Sequence, residues 1–220
     1  NVPNGYEKSL LGTTVYNKYT PETTSVTVKK VWEDSDNQDG KREQIVLQVV
    51  NGATAVASYE LKDSDLAANE FTYTFSDLPK YENGSVIVYT ADEQDVPNGY
   101  TKSLDGTTVY NKYTPETTSV TVKKVWEDKS NQDGKRAPIT LKLQKNVDDW
   151  TDVSGYSVTL TADDLANNEF SYTFEDLPKF ENNHEVSYRV VETVPASFNG
   201  VYTESSSTNK GTDGFWKTEI

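Results

Sequence analysis

The sequence has no cysteine and a single histidine, His184, among its 220 residues. The absence of cysteine excludes disulfides, cysteine nucleophiles and thiolate metal sites. One histidine on an expected loop does not support a histidine-based triad or a zinc site. No Walker motif or glycine-rich phosphate loop is present either, so the sequence predicts no cofactor.

Basic residues are also few. The chain has 21 Lys and Arg against 35 Asp and Glu, which gives a net charge of -14. An acidic surface repels phosphate groups, so we expect neither nucleic acid nor membrane insertion. The sequence shows no long apolar run and no signal peptide, which is typical of a mature segment or fragment of a longer protein.

An internal repeat is the strongest signal in the chain. The segment Val26–Trp32 recurs almost unchanged at Val120–Trp126, and Thr13–Ser25 recurs at Thr107–Ser119, both with an offset of 94 residues. The repeat predicts three segments: residues 1–20 as the closing strands of an upstream repeat, 21–114 as a first module, and 115–220 as a second. The closing strand of the second module is expected to be missing or to be supplied by another segment.

Each module is predicted to be all-β. Valine and threonine alternate in the first strand, aromatic residues alternate with threonines in Phe71–Phe75, and Asn51-Gly52 is a strong hairpin-turn pair. Six or seven short strands in about 94 residues are typical of an immunoglobulin-like β-sandwich. The short proline-bearing join at 113–118 favours modules stacked end to end as a rod.

The first strand has an unusual lysine. Because side chains alternate between the two faces of a strand, Lys30 shares a face with Val28 and Trp32, whereas Lys29 does not. An unpaired buried ammonium is costly, so a lysine directed into a core requires a partner or a function. From the strand pattern alone, a buried salt bridge or a lysine that reaches the sandwich edge explains Lys30.

The ordered motifs Val-Thr-Val-Lys-Lys-Val-Trp-Glu-Asp, Asn-Gln-Asp-Gly-Lys-Arg, Val-Pro-Asn-Gly-Tyr and Tyr-Asn-Lys-Tyr-Thr-Pro resemble the B-type repeat of collagen adhesins, the Cna-B family. The resemblance covers nearly the whole chain, twice. It implies stalk modules of secreted, cell-wall-anchored surface proteins of Gram-positive bacteria. In many such modules a lysine of the first strand forms an amide with an asparagine or aspartate of the last strand, aided by a buried acid.

Residues of this sequence match those positions. The resemblance implies Lys30 as nucleophile, Asn111 as electrophile and Glu93 as proton shuttle in the first module. Lys124 and Glu192 match in the second. Such a reaction occurs once per molecule, so the chain is not expected to be an enzyme with turnover.

The asparagine partner of Lys124 has two candidate sources. One is a closing strand just beyond Ile220. The other is Asn17 of a neighbouring molecule, through head-to-tail strand complementation. Asn209 is a weaker candidate, because its serine-rich surroundings predict a loop.

The sequence thus predicts a structural stalk or spacer, with neighbouring repeats of the same chain as partners. The alternative is an adhesive module that binds a host or partner protein. Near-identical modules favour the spacer, because a specific binding site rarely needs to be copied.

Overall fold

The structure of the chain is a computed structural model, which describes residues 2–193, 206–211 and 216–219. The chain divides into two compact units, Asn1–Asp36 with Lys41–Thr114, and Asn37–Gly40 with Pro115–Ile220. Each unit has its own buried apolar core.

The first unit is built almost entirely from strands. Its elements are β1 (Tyr6–Leu11), β2 (Thr14–Tyr19), β3 (Thr23–Glu33), β4 (Val46–Asn51), β5 (Thr54–Glu60), α1 (Asp63–Leu66), β6 (Glu70–Pro79), β7 (Tyr81–Glu82), β8 (Ser85–Val86), β9 (Thr90–Gln94), β10 (Thr101–Asp105) and β11 (Thr108–Lys112). One sheet has the order β10-β11-β3-β6 and the other β5-β4-β9, while β7 and β8 form a small hairpin.

The two sheets of the first unit enclose one core. Alternate residues of β3 point inward, because Val28, Lys30 and Trp32 are buried while Lys29 and Val31 between them are only half-buried. They pack in the same cluster as Leu47 of β4 and Ala91 of β9, which belong to the opposite sheet. This is the arrangement of an immunoglobulin-like β-sandwich.

Two local predictions can be compared with the structure. The hairpin predicted at Asn51-Gly52 is present, with its two-residue loop one position later, at Gly52-Ala53: Asn51 pairs with Thr54, and Gly52 has φ +60°. The apolar run Val86–Ala91, whose composition predicts one further strand, is interrupted, since β8 ends at Val86 and β9 begins at Thr90. At the interruption the Tyr89 hydroxyl donates a hydrogen bond to the Pro79 carbonyl at 2.7 Å.

The second unit repeats this plan. Its elements are β12 (Thr117–Val125), β13 (Thr140–Asn146), β14 (Trp150–Thr159), α2 (Ala162–Leu165), β15 (Glu169–Pro178), β16 (Phe180–Glu181), β17 (His184–Glu185), β18 (Ser187–Thr193), β19 (Ser207–Lys210) and β20 (Trp216–Glu219). The sheets have the orders β15-β12-β20-β19 and β14-β13-β18. The protein is therefore an all-β chain of tandem immunoglobulin-like sandwich modules.

The end of the second unit bears on its closing strand, which we expected to be missing or supplied by another segment. β20 runs parallel to β12 and pairs with it from Val120 to Lys123, whereas β11 pairs with β3 from Lys29 to Glu33, which is equivalent to residues 123–127. The hairpin β19–β20 thus lies beside β12, as β10–β11 lies beside β3. The sequence did not predict it because residues 205–215 are rich in serine, threonine and glycine and show no apolar alternation.

Candidate functional site

Two adjacent lysines of β3 have opposite environments. Lys29 is on the outer face, where its Nζ lies 2.8 Å from Glu70 Oε1 and both side chains are exposed. Lys30 points into the sandwich, and its side chain is 0% exposed. The alternation of a β-strand is sufficient to separate them, as the sequence predicted.

The partner of Lys30 comes from the opposite sheet. Glu93 is on β9, where it pairs with Leu47 of β4, and its side chain is also 0% exposed. Its Oε2 lies 3.0 Å from Lys30 Nζ. The ion pair therefore crosses the interior of the sandwich, where water does not screen it.

Asn111 completes the cluster from the strand beside β3. β11 runs parallel to β3, with Val109 opposite Lys30 and Asn111 opposite Trp32. Lys30 and Asn111 are thus diagonal neighbours on the inward face, a separation that a long side chain can span. Asn111 is fully buried, and its Nδ2 donates a hydrogen bond to Glu93 Oε1 at 2.7 Å.

One carboxylate therefore contacts both other groups. The two oxygens of Glu93 lie against the Lys30 amine and the Asn111 amide, and no side-chain hydrogen bond to Asn111 Oδ1 is present among the described residues. Burial lowers the pKa of Lys30 from 10.5 to about 8, although the negative charge of Glu93 acts in the opposite direction. The arrangement brings an amine that readily loses its proton, a proton acceptor and a carboxamide into one dry pocket.

An arginine that the sequence argument missed lies next to this cluster. Arg42 Nε and Nη2 donate to the two oxygens of Asp34 at 2.7 and 2.6 Å, and this ion pair is almost completely buried. Its guanidinium carbon is 5.4 Å from the ring centroid of Trp32. The sequence signal that could have identified Arg42 is the motif Gly-Lys-Arg, which occurs again, ending at Arg136, with the same offset of 94 residues.

The second module repeats the ion pair. Lys124 Nζ lies 2.9 Å from Glu192 Oε2, with side chains 9% and 3% exposed. The register of β20 places Glu219 opposite Lys123, so the position opposite Trp126 would follow Glu219 by three residues, past Ile220. The described part of this module therefore contains the amine and the acid of the site without a counterpart of Asn111.

The other two candidate asparagines lie on exposed strands. Asn17 lies on β2, opposite Lys8 of β1, in a separate two-stranded hairpin whose residues are all exposed. Asn209 is exposed on β19, which is a strand and not the predicted loop, and β20 separates it from β12.

The described residues give no sign of a metal site or of a membrane-spanning helix. They contain no group of three or more His, Asp or Glu side chains that could hold a metal ion. No helix among them is long and apolar enough to cross a membrane.

Comparison with known families identifies the family of the chain. The model of the Cna protein B-type domain matches residues 26–112 and 120–215. The chain belongs to this family. A collagen adhesin of Staphylococcus aureus is 38% identical over 198 residues, which are 90% of this chain and 16% of that protein. The chain thus spans about a sixth of the length of this curated relative.

Solved structures include related repeats. Two B repeat units of the collagen binding protein of S. aureus are 33% identical and align with 98% of this chain and 55% of that chain, with a TM-score of 0.43. The major pilin of Streptococcus pyogenes is 14% identical over 90% of this chain and 97% of that chain, with a TM-score of 0.35. By family, the two modules are Cna B-type repeats.

Proposed function

We propose that the chain is a stalk segment of a secreted, cell-wall-anchored adhesin, and that an amide between Lys30 and Asn111 closes its first module. The observation that supports this most directly is the buried Glu93 carboxylate, which contacts the Lys30 amine and the Asn111 amide at once. A salt bridge alone would not require a carboxamide on the other oxygen.

The reaction is an aminolysis within the folded module. A proton passes from the Lys30 ammonium to Glu93, and the neutral Nζ attacks Asn111 Cγ. Protonated Glu93 stabilises the oxygen that develops negative charge and then returns the proton to Nδ2. The Cγ–Nδ2 bond breaks and ammonia leaves, while Nζ gives one of its two remaining protons to the Glu93 carboxylate and keeps the other as the amide N–H. Fixed proximity of the two groups accelerates an otherwise slow step.

The cross-link would stabilise the module. It closes a loop of 111 - 30 = 81 residues. If the link acts as a disulfide does, loss of chain entropy in the unfolded state stabilises the module by roughly 4 to 5 kcal/mol. Because β3 and β11 are neighbouring parallel strands, a pulling force on these two strands would pass through the amide. That property suits a spacer under load.

Intact mass spectrometry tests the cross-link. We expect the purified chain to weigh one ammonia less than its sequence for each bond formed. Lys30→Ala and Asn111→Ala should restore the full mass of the first module, and Glu93→Gln should do so largely, because it removes the proton acceptor with little change in shape. Tandem fragmentation should locate the branch at Lys30 and Asn111.

Lys29→Ala is the matched control. It removes the neighbouring lysine and its surface ion pair with Glu70, and it should leave the mass loss intact. A wild-type chain at the full mass of its sequence would refute the cross-link and leave an uncross-linked tandem of β-sandwiches.

We further propose head-to-tail complementation between molecules, in which β1–β2 of one molecule delivers Asn17 to Lys124 of another. The sequence 6–19 differs from 100–113 only at Glu7 and Leu11. Docked on β12 in the register that β11 has on β3, β2 would pair with residues 123–127. It would overlap with β20 only at Lys123.

Mixing two variants tests this proposal. Asn17→Ala keeps the receiving lysine, and Lys124→Ala keeps the donating hairpin, so each should remain monomeric alone. Their mixture should give one covalent dimer whose mass is the sum of the two chains minus one ammonia. A wild-type protein that stays monomeric at high concentration would exclude complementation, whatever the state of the first module.

A further inference from the structure

Arg42 uses its entire guanidinium in the interior of the first module. Besides the two bonds to Asp34, Nη1 donates to the carbonyls of Leu66 and Ala68 at 2.8 and 3.1 Å, and Nη2 donates to Asn69 Oδ1. All five N–H donors of an arginine are therefore engaged. A planar group fixed in this way has one permitted position.

The indole of Trp32 links this fixed cation to the cross-linking site. Lys30 Nζ lies 4.1 Å from the centroid of the Trp32 ring, and the Arg42 guanidinium carbon lies 5.4 Å from it. The ring of Tyr100 packs edge-on against the same indole at 5.3 Å, and its hydroxyl donates to Asp34 Oδ2 at 2.7 Å. Trp32 is also the residue opposite Asn111 in the β3–β11 register.

We propose that Arg42 is a positioning residue for the cross-link: it fixes the Trp32 indole against which the Lys30 amine is held beside Glu93 and Asn111. This inference rests on the proposed cross-link and assigns a role to a residue that does not itself contact the reacting atoms. Its positive charge has a second consequence, because it lowers the pKa of Lys30 while Asp34 has a weaker, opposite effect. Arg42 thus acts on both the position and the protonation of the nucleophile.

The second module contains the same assembly. Arg136 donates to both oxygens of Asp128 and to the carbonyls of Leu165 and Asn167, and its guanidinium carbon is 5.3 Å from the Trp126 ring. Lys124 Nζ lies 4.5 Å from that ring. The two modules differ between Lys145 and Tyr156, yet both keep the arginine, the tryptophan and the lysine in contact. This repetition is expected if the arginine positions the lysine. Arg136 of the second module then supplies a matched control for Arg42.

The test follows ammonia loss in time. The full chain is produced by cell-free synthesis at a series of pH values, and its mass is sampled as the bond forms. We expect Arg42→Gln to slow the loss at least about tenfold, the effect of a modest misplacement of a reacting group. We also expect the rising limb of its pH–rate curve to move to higher pH, because Lys30 then keeps its proton more firmly.

Three further variants distinguish a loss of Lys30 positioning from a general loss of folding. Arg136→Gln should leave the rate in the first module unchanged. Arg42→Lys keeps the charge but not the planar fork, so it should retain the wild-type pH dependence at a reduced rate. Trp32→Phe should also reduce the rate without moving the pH dependence. Circular dichroism and thermal melting identify any variant that fails to fold.

The outcomes are distinguishable. A folded Arg42→Gln chain that loses ammonia at the wild-type rate and pH would overturn the role of Arg42 and leave the cross-link standing. Equal slowing at every pH, in Arg42→Gln and Arg42→Lys alike, would reduce Arg42 to a structural support and also overturn the proposal. A wild-type chain that never loses ammonia would remove both proposals.

Discussion

The contrast between Lys29 and Lys30 shows how much of the site depends on environment alone. Both lysines have a glutamate about 3 Å away, yet one pair is exposed and the other is completely buried. A surface pair contributes little to stability, because water screens it and side-chain entropy opposes it. In the interior the amine loses its hydration, and its pKa falls to about 8. Only the buried pair therefore has an amine that is easily freed for reaction.

This pKa predicts a pH effect in a chain that cannot form the amide. In Asn111→Ala, Lys30 remains ionisable, with a pKa of about 8 in the folded state and 10.5 as its ordinary value. Between these values the unfolded chain binds more protons, so the free energy of unfolding should rise from pH 8 to pH 10.5. Below pH 8 both states are protonated, and the folded state has the full destabilisation, about 3 kcal/mol.

Urea unfolding across this pH range measures the effect. The reference is the double variant Lys30→Met with Asn111→Ala, which removes the Lys30 ammonium and leaves the other titrating groups in place. The difference between the two variants should shrink as pH rises through 8. A difference that stays constant would show that Lys30 keeps its ordinary pKa inside the sandwich.

At the scale of the strands, local pattern explains which side chains point inward but not which strands are neighbours. Alternation in β3 and β9 was sufficient to predict that Lys30 and Glu93 face the core. The parallel pairing of β11 with β3, which brings Asn111 within reach, joins segments some 80 residues apart, and no local pattern contains it. Arg42 was missed for a related reason: it follows an acidic turn and belongs to no strand, so its burial depends on two separate segments, Asp34 and residues 66–69, that fold around it.

Two copies of one hairpin also show that a local sequence pattern does not determine which strands become neighbours. β1–β2 and β10–β11 have the same pairing register, and their flanking tyrosine rings are 5.3 and 5.2 Å apart. Yet Tyr6 and Val15 are 43% and 55% exposed, whereas Tyr100 and Val109 are 9% and 0% exposed. The hairpin forms from its own sequence, and its burial is decided by whether a β3-type strand lies beside it. A preformed hairpin with an uncovered apolar face is suited to docking, because little ordering entropy opposes its binding.

At the scale of the whole molecule, the two modules share a core plan and differ in how they are closed. Each has its own apolar cluster, and each buries a lysine–glutamate pair between its sheets. Only the first has an asparagine in contact with that pair among the described residues. If the amide forms and the second module gains no covalent partner, the chain contains one covalently closed module and one that depends on packing alone.

Such a chain should unfold in two steps on heating. We expect the second module to melt first and the first module to melt at a higher temperature. Lys30→Ala should lower the upper transition by roughly 20 °C or more, because a link worth about 4 to 5 kcal/mol is lost from a domain of about 90 residues. The lower transition should not move. Differential scanning calorimetry measures both, with Lys29→Ala as the control for loss of a lysine. If Lys30→Ala left both transitions in place, the amide would not be what stabilises the first module, even in a chain whose mass shows that it forms.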